Sequence, residues 1–499
     1  MKKADKGLFA LINCLEPSEK RYFRGRHGAR GGGSSEYLKL FDVLDSQTEY
    51  DDAAARSALG YTPGDSRFPV VKRYLQDRLG EALRAYHADA FPEEAVLREL
   101  RLAQILLRKG RHDLASAAMK RADAFIQRLD ALSLEAERAE VARSLALART
   151  SADDGDLKEI TGRLNESLDR MREENRQRFH AESLIREHYR MVHAREHDAR
   201  DRVEHHWKNL EKVTAETAPS WRARIAHARA EATWHHMSGR PAEAAQVNAA
   251  TIEALDSHPA IRNRYAELYM SSLSNLLIDL FGQGRYDEVA EGTERLRKLS
   301  RFATFRKLPG FELRVFRQGH LLELNRAVAQ RKYSEGWATR KTVLAGMGRF
   351  GRRLGTNNII SLHYLLGWCG AVVGESRTAL DHLDAIIDRP EPPAVLVLLR
   401  FARLARLLLL FDMGEERLLE SLLPNTRRRL QAESELNDPE RALFRYLGRW
   451  LRIGISDRKS LLMEWRLVCE DLAGQTGSPE FFGTMDLRDW LDARIKKYP

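Results

Sequence analysis

His193-Ala-Arg-Glu196-His197 has the spacing H-x-x-E-H, which would set two imidazoles and a carboxylate on one face of a helix, a donor set suited to zinc. Ten of the 16 histidines lie between His180 and His258, so the same pattern reads equally as exposed histidines at the end of a helical hairpin. Gly346-Met-Gly348-Arg-Phe-Gly351 satisfies G-x-G-x-x-G. That motif holds a pyrophosphate only where a strand precedes it and a helix N-terminus follows. Helical sequence precedes it here, so the segment reads as a flexible link. The sequence holds no G-x-x-x-x-G-K-[ST] loop, no G-x-S-x-G elbow and no kinase set, and catalysis finds no anchor. The expectation is a non-catalytic protein that uses no cofactor and no metal.

Charge carries more information. Between Arg295 and Arg353 there are 16 Lys and Arg against three acids, Glu312, Glu323 and Glu335. This local excess is larger than the net +10 of the whole chain, so the remainder is slightly acidic. Arg314, Arg317, Arg326, Arg340 and Lys341 belong to this segment. Focused cations favour an acidic protein or peptide, a phosphorylated segment or nucleic acid, and the alternative is a solvated basic face with no specific partner.

Composition sets the bounds on the chain. With 499 residues, 43% hydrophobic and 31% charged, it has ample material for a packed core. Cys14, Cys369 and Cys469 are widely spaced and odd in number, which argues for a reducing compartment, with the cytoplasm as the expected location. Lys2, Lys3 and Lys6 before the apolar run Gly7 to Leu15 imitate a signal peptide. Asn13, Glu16 and Pro17 interrupt the imitation. The most apolar stretch, Ala394 to Phe411, carries Arg400, Arg403 and Arg406, which would be costly in hydrocarbon, so it reads as a core helix and no membrane partner is expected.

The elements that must position these residues are helices throughout. Apolar residues recur every three or four positions in Ala-, Leu-, Arg- and Glu-rich sequence, with no convincing strand alternation. Short turns interrupt them at Gly110, Gly155, Gly239, Gly284, Gly374 and Gly414, with less clear turns at His197, Arg331 and Gly454. Glycine suits a helix C-terminus because it enters the left-handed region cheaply. The spacing averages about 43 residues, which predicts an all-α chain, an α-solenoid of about nine stacked helical hairpins.

Leu273 to Leu296, LSNLLIDLFGQGRYDEVAEGTERL, resembles a tetratricopeptide repeat: a helix, Gly284, an aromatic at Tyr286, a turn and a second helix. In LHYLLGWCGAVVGESRTALDHLDAII, Gly367, Gly374 and Ala379 stand where that family places small residues, as do Gly110, Ala115 and Ala122 further upstream. The resemblance covers roughly residues 96 to 475, with a pitch longer than the usual ~34 residues. It implies that one helix of each hairpin faces a concave binding surface. Asn275 stands on such a first helix, and in peptide-binding tetratricopeptide proteins a similarly placed Asn contacts peptide backbone. Asn325 and Arg229 also stand on first helices. For each of these, ordinary surface or interhairpin bonding is the alternative.

Residues 1 to 95 fall outside the period and read as an N-terminal helical module or cap. Its helices are expected at Leu8 to Arg24, Glu36 to Ser46, Asp52 to Leu59 and Val70 to Ala88. Residues 96 to 475 form the repeat region. Within residues 476 to 499, Met485 to Lys497 is expected to cap the stack. The leading expectation is a scaffold that binds a protein or peptide, acidic in character, on the repeat surface. The alternative is a DNA-binding regulator, since Asp52 to Leu59, the turn GYTPGDSRFP and a helix with Lys72, Arg73, Arg78 and Arg84 have a helix-turn-helix order. Against it, the module has 15 basic and 15 acidic side chains.

Overall fold

The computed structural model describes residues 7–28, 35–88, 92–148, 154–194, 199–210, 217–387, 395–474 and 479–496, and among these there are helices and turns but no strand. The chain is all-α.

The first helices are α1 (Gly7–Cys14), α2 (Pro17–Gly28), α3 (Glu36–Ser46), α4 (Asp52–Ala58) and α5 (Arg67–His87). The single helix expected through Leu8 to Arg24 is two, because Pro17 cannot continue α1 and instead opens α2. Asp51 caps α4, accepting from the backbone N–H of Ala53 and Ala54. Leu8, Ile12, Phe23, Phe41, Phe68, Leu75 and Leu79 bury into one apolar cluster drawn from these five helices.

From there the chain runs through α6 (Glu93–Arg108), α7 (His112–Leu129), α8 (Glu135–Leu147), α9 (Asp154–Ala194), α10 (Ala199–Lys208), α11 (Trp221–Met237), α12 (Pro241–Asp256), α13 (Pro259–Arg264), α14 (Ala266–Gly282) and α15 (Tyr286–Lys298). It continues as α16 (Ala303–Arg306), α17 (Phe311–Ala329), α18 (Tyr333–Ala338), α19 (Arg340–Phe350), α20 (Thr356–Val373), α21 (Ser376–Ile387), α22 (Leu396–Asp412), α23 (Glu416–Glu433), α24 (Asp438–Trp450), α25 (Arg458–Ala473), α26 (Pro479–Thr484) and α27 (Leu487–Ile495). Each long helix packs on its neighbours in sequence: α6 on α7, α9 on α11, α11 on α12, α12 on α14, α14 on α15, α15 on α17, α20 on α21 and α21 on α22.

One turn recurs. At Gly110, Gly239, Gly284 and Gly414 the backbone is left-handed, and the following N–H reaches back five residues to a helix carbonyl. The bonds are Arg111 to Leu106 (2.9 Å), Arg240 to His235 (2.9 Å), Arg285 to Leu280 (3.0 Å) and Glu415 to Leu410 (3.0 Å). Lys332 makes the same bond to Ala327 at 2.8 Å, with Arg331 in the left-handed region at φ 59°.

Two expectations are corrected. Gly155 is no turn: it lies in the first turn of the 41-residue helix α9, where long polar residues after it sustain helix without a stop signal. The Gly346-x-Gly348 segment is no flexible link, because it lies inside α19, and a Cβ added at Gly346 would meet Phe316 of α17 at 1.9 Å. Glycine there lets α19 lie close on α17. At Gly367, read from sequence as a close-approach position, an added Cβ would meet Leu383 at 2.6 Å.

In α22, Arg400 bonds Glu440 (Nη2 to Oε2, 2.7 Å), Arg403 bonds Glu433 (2.8 Å) and Arg406 bonds Asp384 (3.0 Å). Its arginines are therefore answered by carboxylates on neighbouring helices. Among the described residues no helix is long and apolar enough to cross a membrane.

Helix α27 packs on α25 and α20. Asp486 caps it, and Trp490 is fully buried. Arg494, 2% exposed, bonds Asp412 through Nε at 2.7 Å and donates to the carbonyls of Ala371 (2.5 Å) and Val372 (3.2 Å). Breaking one side of a buried pair leaves an uncompensated charge. Asp412→Ala is therefore expected to cost ~3–5 kcal/mol in denaturant unfolding, and an Asp412→Leu/Arg494→Met double variant to recover most of that loss.

A second prediction concerns acid. His382 is 4% exposed, with Nδ1 3.1 Å from Nδ1 of His363. Burial, aided by the charge of Arg340, pushes His382 down to about 4. Because the folded state favours the neutral ring, stability is full above the ordinary value near 6.5 and is lost as pH falls from there towards 4. His382→Gln is expected to remove ~2 kcal/mol of the loss between pH 7 and 4, measured by urea unfolding at each pH.

Candidate functional site

Three helices present residues spaced i, i+3, i+4 toward one cavity. Ile185, His188 and Tyr189 come from α9, Arg229, Ala232 and Thr233 from α11, and Asn275, Ile278 and Asp279 from α14. His236, one turn beyond Thr233, and Asn248 of α12 complete a cavity of ≈ 220 Å³. Its position follows from the composition of α11. Ala223, Ala226, Ala230 and Ala232 are buried there, and side chains that small let α9 and α12 approach while the longer residues between them line the gap.

The polar groups divide into two sets. Asp279, 5% exposed, accepts from Asn248 Nδ2 at 3.1 Å, and its other oxygen lies 3.2 Å from His236 Nδ1. Burial raises its carboxyl above the ordinary value, against the opposing pull of His236 and Asn248. Arg229 stands seven residues before His236, ~10 Å along the helix. Its guanidinium makes no ion pair or hydrogen bond among the described residues, and its Nε is buried without a partner. Burial pulls its pKa below the ordinary guanidinium value. Glu182, an acid whose charge reaches it, is already held by Arg178 Nε at 3.0 Å and Nη2 at 2.7 Å. At the mouth, Asn275 is exposed with no hydrogen bond to its amide among the described residues, beside Ile278 and Tyr189, which are 49% and 56% exposed.

No family model, curated protein or solved structure matches the chain. The geometry therefore has to be read on its own terms.

Of the residues singled out from sequence, the structure brings Arg229 and Asn275 into one cavity and distributes the rest. Arg314 lies 3.9 Å from Glu267, on the helix that carries Asn275. Arg340 lies over the Trp337 ring at 5.2 Å. Asn325 donates to its own helix at Leu321 O (2.7 Å), which fits the bland alternative for that residue. Arg317, Arg326 and Lys341 make no ion pair among the described residues. Acids brought from elsewhere answer part of the basic segment, Asp256 pairing with Arg295, Asp486 with Arg331 and Glu16 with Arg353, while Glu294 of the same helix pairs with Arg297. On α5, Lys72 is 2.9 Å from Tyr50 Oη and Arg78 bonds Glu81 at 2.7 Å, whereas Arg73 and Arg84 are exposed. Residues 195–198 and the His193 side chain, and with them the H-x-x-E-H pattern, lie outside the described residues. Among the described residues no three His, Cys, Asp or Glu are grouped to hold a metal ion.

Sequence reasoning missed Asp279, Asn248, His236, His188 and Tyr189. A usable signal existed: Asp279 follows Asn275 by four residues and so shares its helical face.

A half-buried guanidinium whose Nε is buried without a partner is a cost to the free protein. Arg229→Met is expected to raise stability by ~1 kcal/mol in urea unfolding, the opposite of what truncating a structural arginine does.

Proposed function

We propose that the chain is a cytoplasmic, non-catalytic scaffold, an α-solenoid of tetratricopeptide-like hairpins that binds a protein or peptide at the Arg229–Asn275 cavity. The observation that carries this reading is the pairing, in one cavity, of an unanswered guanidinium with a free exposed amide that can donate and accept at once. The recurring left-handed turn supports a repeat. So does the order of the buried clusters, residues 96–145, 181–230, 225–322 and 324–491, which follow the chain as expected where each hairpin buries itself on the next. The departures are α9, whose length breaks the period, and α27, which returns to α20.

Arg317 and Lys341, which pair with no acid among the described residues, make the partner acidic on this reading. The regulator alternative has less to draw on. Lys72 and Arg78 are engaged within their own module and Arg67 pairs with Asp65, which leaves Arg73 and Arg84 as the exposed α5 cations for phosphates.

Affinity capture from native extract tests the proposal. Wild type is expected to retain a protein partner that Asn275→Ala loses, and Arg314→Glu/Arg317→Glu/Arg340→Glu/Lys341→Glu is expected to bind it ~10-fold more weakly, with salt weakening wild-type binding as well. Capture of duplex DNA instead, or turnover of a small molecule with no protein partner retained, would overturn it.

A further inference from the structure

The cavity specifies more than a peptide. Its lining is the first constraint: residues of α9, α11, α12 and α14 surround ≈ 220 Å³ of space, room enough for a side chain or a chain end. Its charges are the second. Asp279 is answered by His236 and Asn248 inside the protein. Glu182 is answered by Arg178. The guanidinium of Arg229 is left over, with Nε buried beyond the reach of solvent. A group that fills the cavity displaces the water that now solvates the remaining N–H groups, so a neutral occupant would leave a desolvated cation. An anion would satisfy it.

The third constraint separates kinds of anion. One guanidinium matches the two oxygens and single charge of a carboxylate in a forked pair. A phosphate dianion would bring a second charge into a cavity whose far end holds a buried carboxylate, where Arg229 is the one arginine or lysine among the lining residues and the His236 ring is already turned to Asp279. We infer that the Arg229 cavity is a carboxylate seat: it takes one carboxylate of the bound partner on the guanidinium, while Asn275 at the mouth holds the adjoining amide. This rests on the peptide-binding reading above. The carboxylate could come from a Glu or Asp side chain or from a chain terminus, and both offer the same chemistry to Arg229.

Small probes on the full-length chain separate these sources. Four are titrated by isothermal calorimetry: glutamate blocked at both ends, N-acetylglutamine with a free terminal carboxylate, glutamine blocked at both ends, and inorganic phosphate. One or both carboxylate probes are expected to bind at least about tenfold more tightly than blocked glutamine, and whichever is tighter identifies the source. Arg229→Met, expected to stay folded with an unchanged or higher melting temperature, should lose the preference, and Arg229→Lys should restore part of it. Equal binding of blocked glutamine, a preference that survives in Arg229→Met, or tighter binding of phosphate than of either carboxylate overturns the inference. The two readings fail separately. If wild type and Arg229→Met capture the same protein equally, the seat is wrong and the scaffold stands. If the carboxylate probes bind through Arg229 but no protein is captured, the seat stands and the scaffold falls.

Discussion

A pair of antiparallel helices cannot bury its own apolar faces, and the structure answers that constraint at nearly every turn. α11 and α14 are both largely apolar or small on more than one side, with Ala223, Ala226, Ala230 and Ala232 in one and Tyr269, Leu273, Leu277 and Leu280 in the other. Each is covered by the helices before and after it in sequence. Such burial stabilises by ~25 cal/mol per Å² of apolar surface, far more than surface ion pairs of ~0–1 kcal/mol. The exposed pairs Arg172–Asp169 and Arg176–Glu173 on α9, and Arg285–Glu288 at the start of α15, therefore decorate a fold that packing determines.

The cavity is a by-product of the same packing. Helices lined with alanine approach closely, but the longer residues interleaved with them, Arg229, Thr233 and His236, prevent full contact and leave a gap. Most polar groups in that gap find partners. Arg229 does not, and its Nε is buried without a partner. Energetic cost without an internal return is the usual mark of a group that serves a ligand.

Much of the architecture could be read from sequence, because it depends on local chemistry. The glycine turns at residues 110, 239, 284, 374 and 414 were visible, since a left-handed C-terminus calls for glycine. Arg331 and Asp130 adopt the same conformation without announcing it, and their turns had no such clear signal. The length of α9 was hidden because Gly155 looks like a stop but falls where a helix begins. For the site, Arg229 and Asn275 could be flagged from their positions on first helices. What makes the place distinctive could not: the engagement of Asp279 by Asn248 and His236 joins three helices, and the lack of a partner for Arg229 is visible only when every neighbour has been placed. Basic residues 295–353 show the converse. Sequence gave their excess, but only the fold shows that Asp256, Asp486 and Glu16 are carried to them from distant positions.

The central claim is that ligand enters between α9, α11 and α14 rather than elsewhere on a long helical chain. Amide hydrogen exchange of the full-length protein, with and without saturating blocked glutamate, tests it most directly. The account predicts slowed exchange at Ile185–Tyr189, Arg229–His236 and Asn275–Asp279, absent in Arg229→Met. Slowed exchange confined to α1–α5 or to residues 295–353, with none at the cavity, would contradict it.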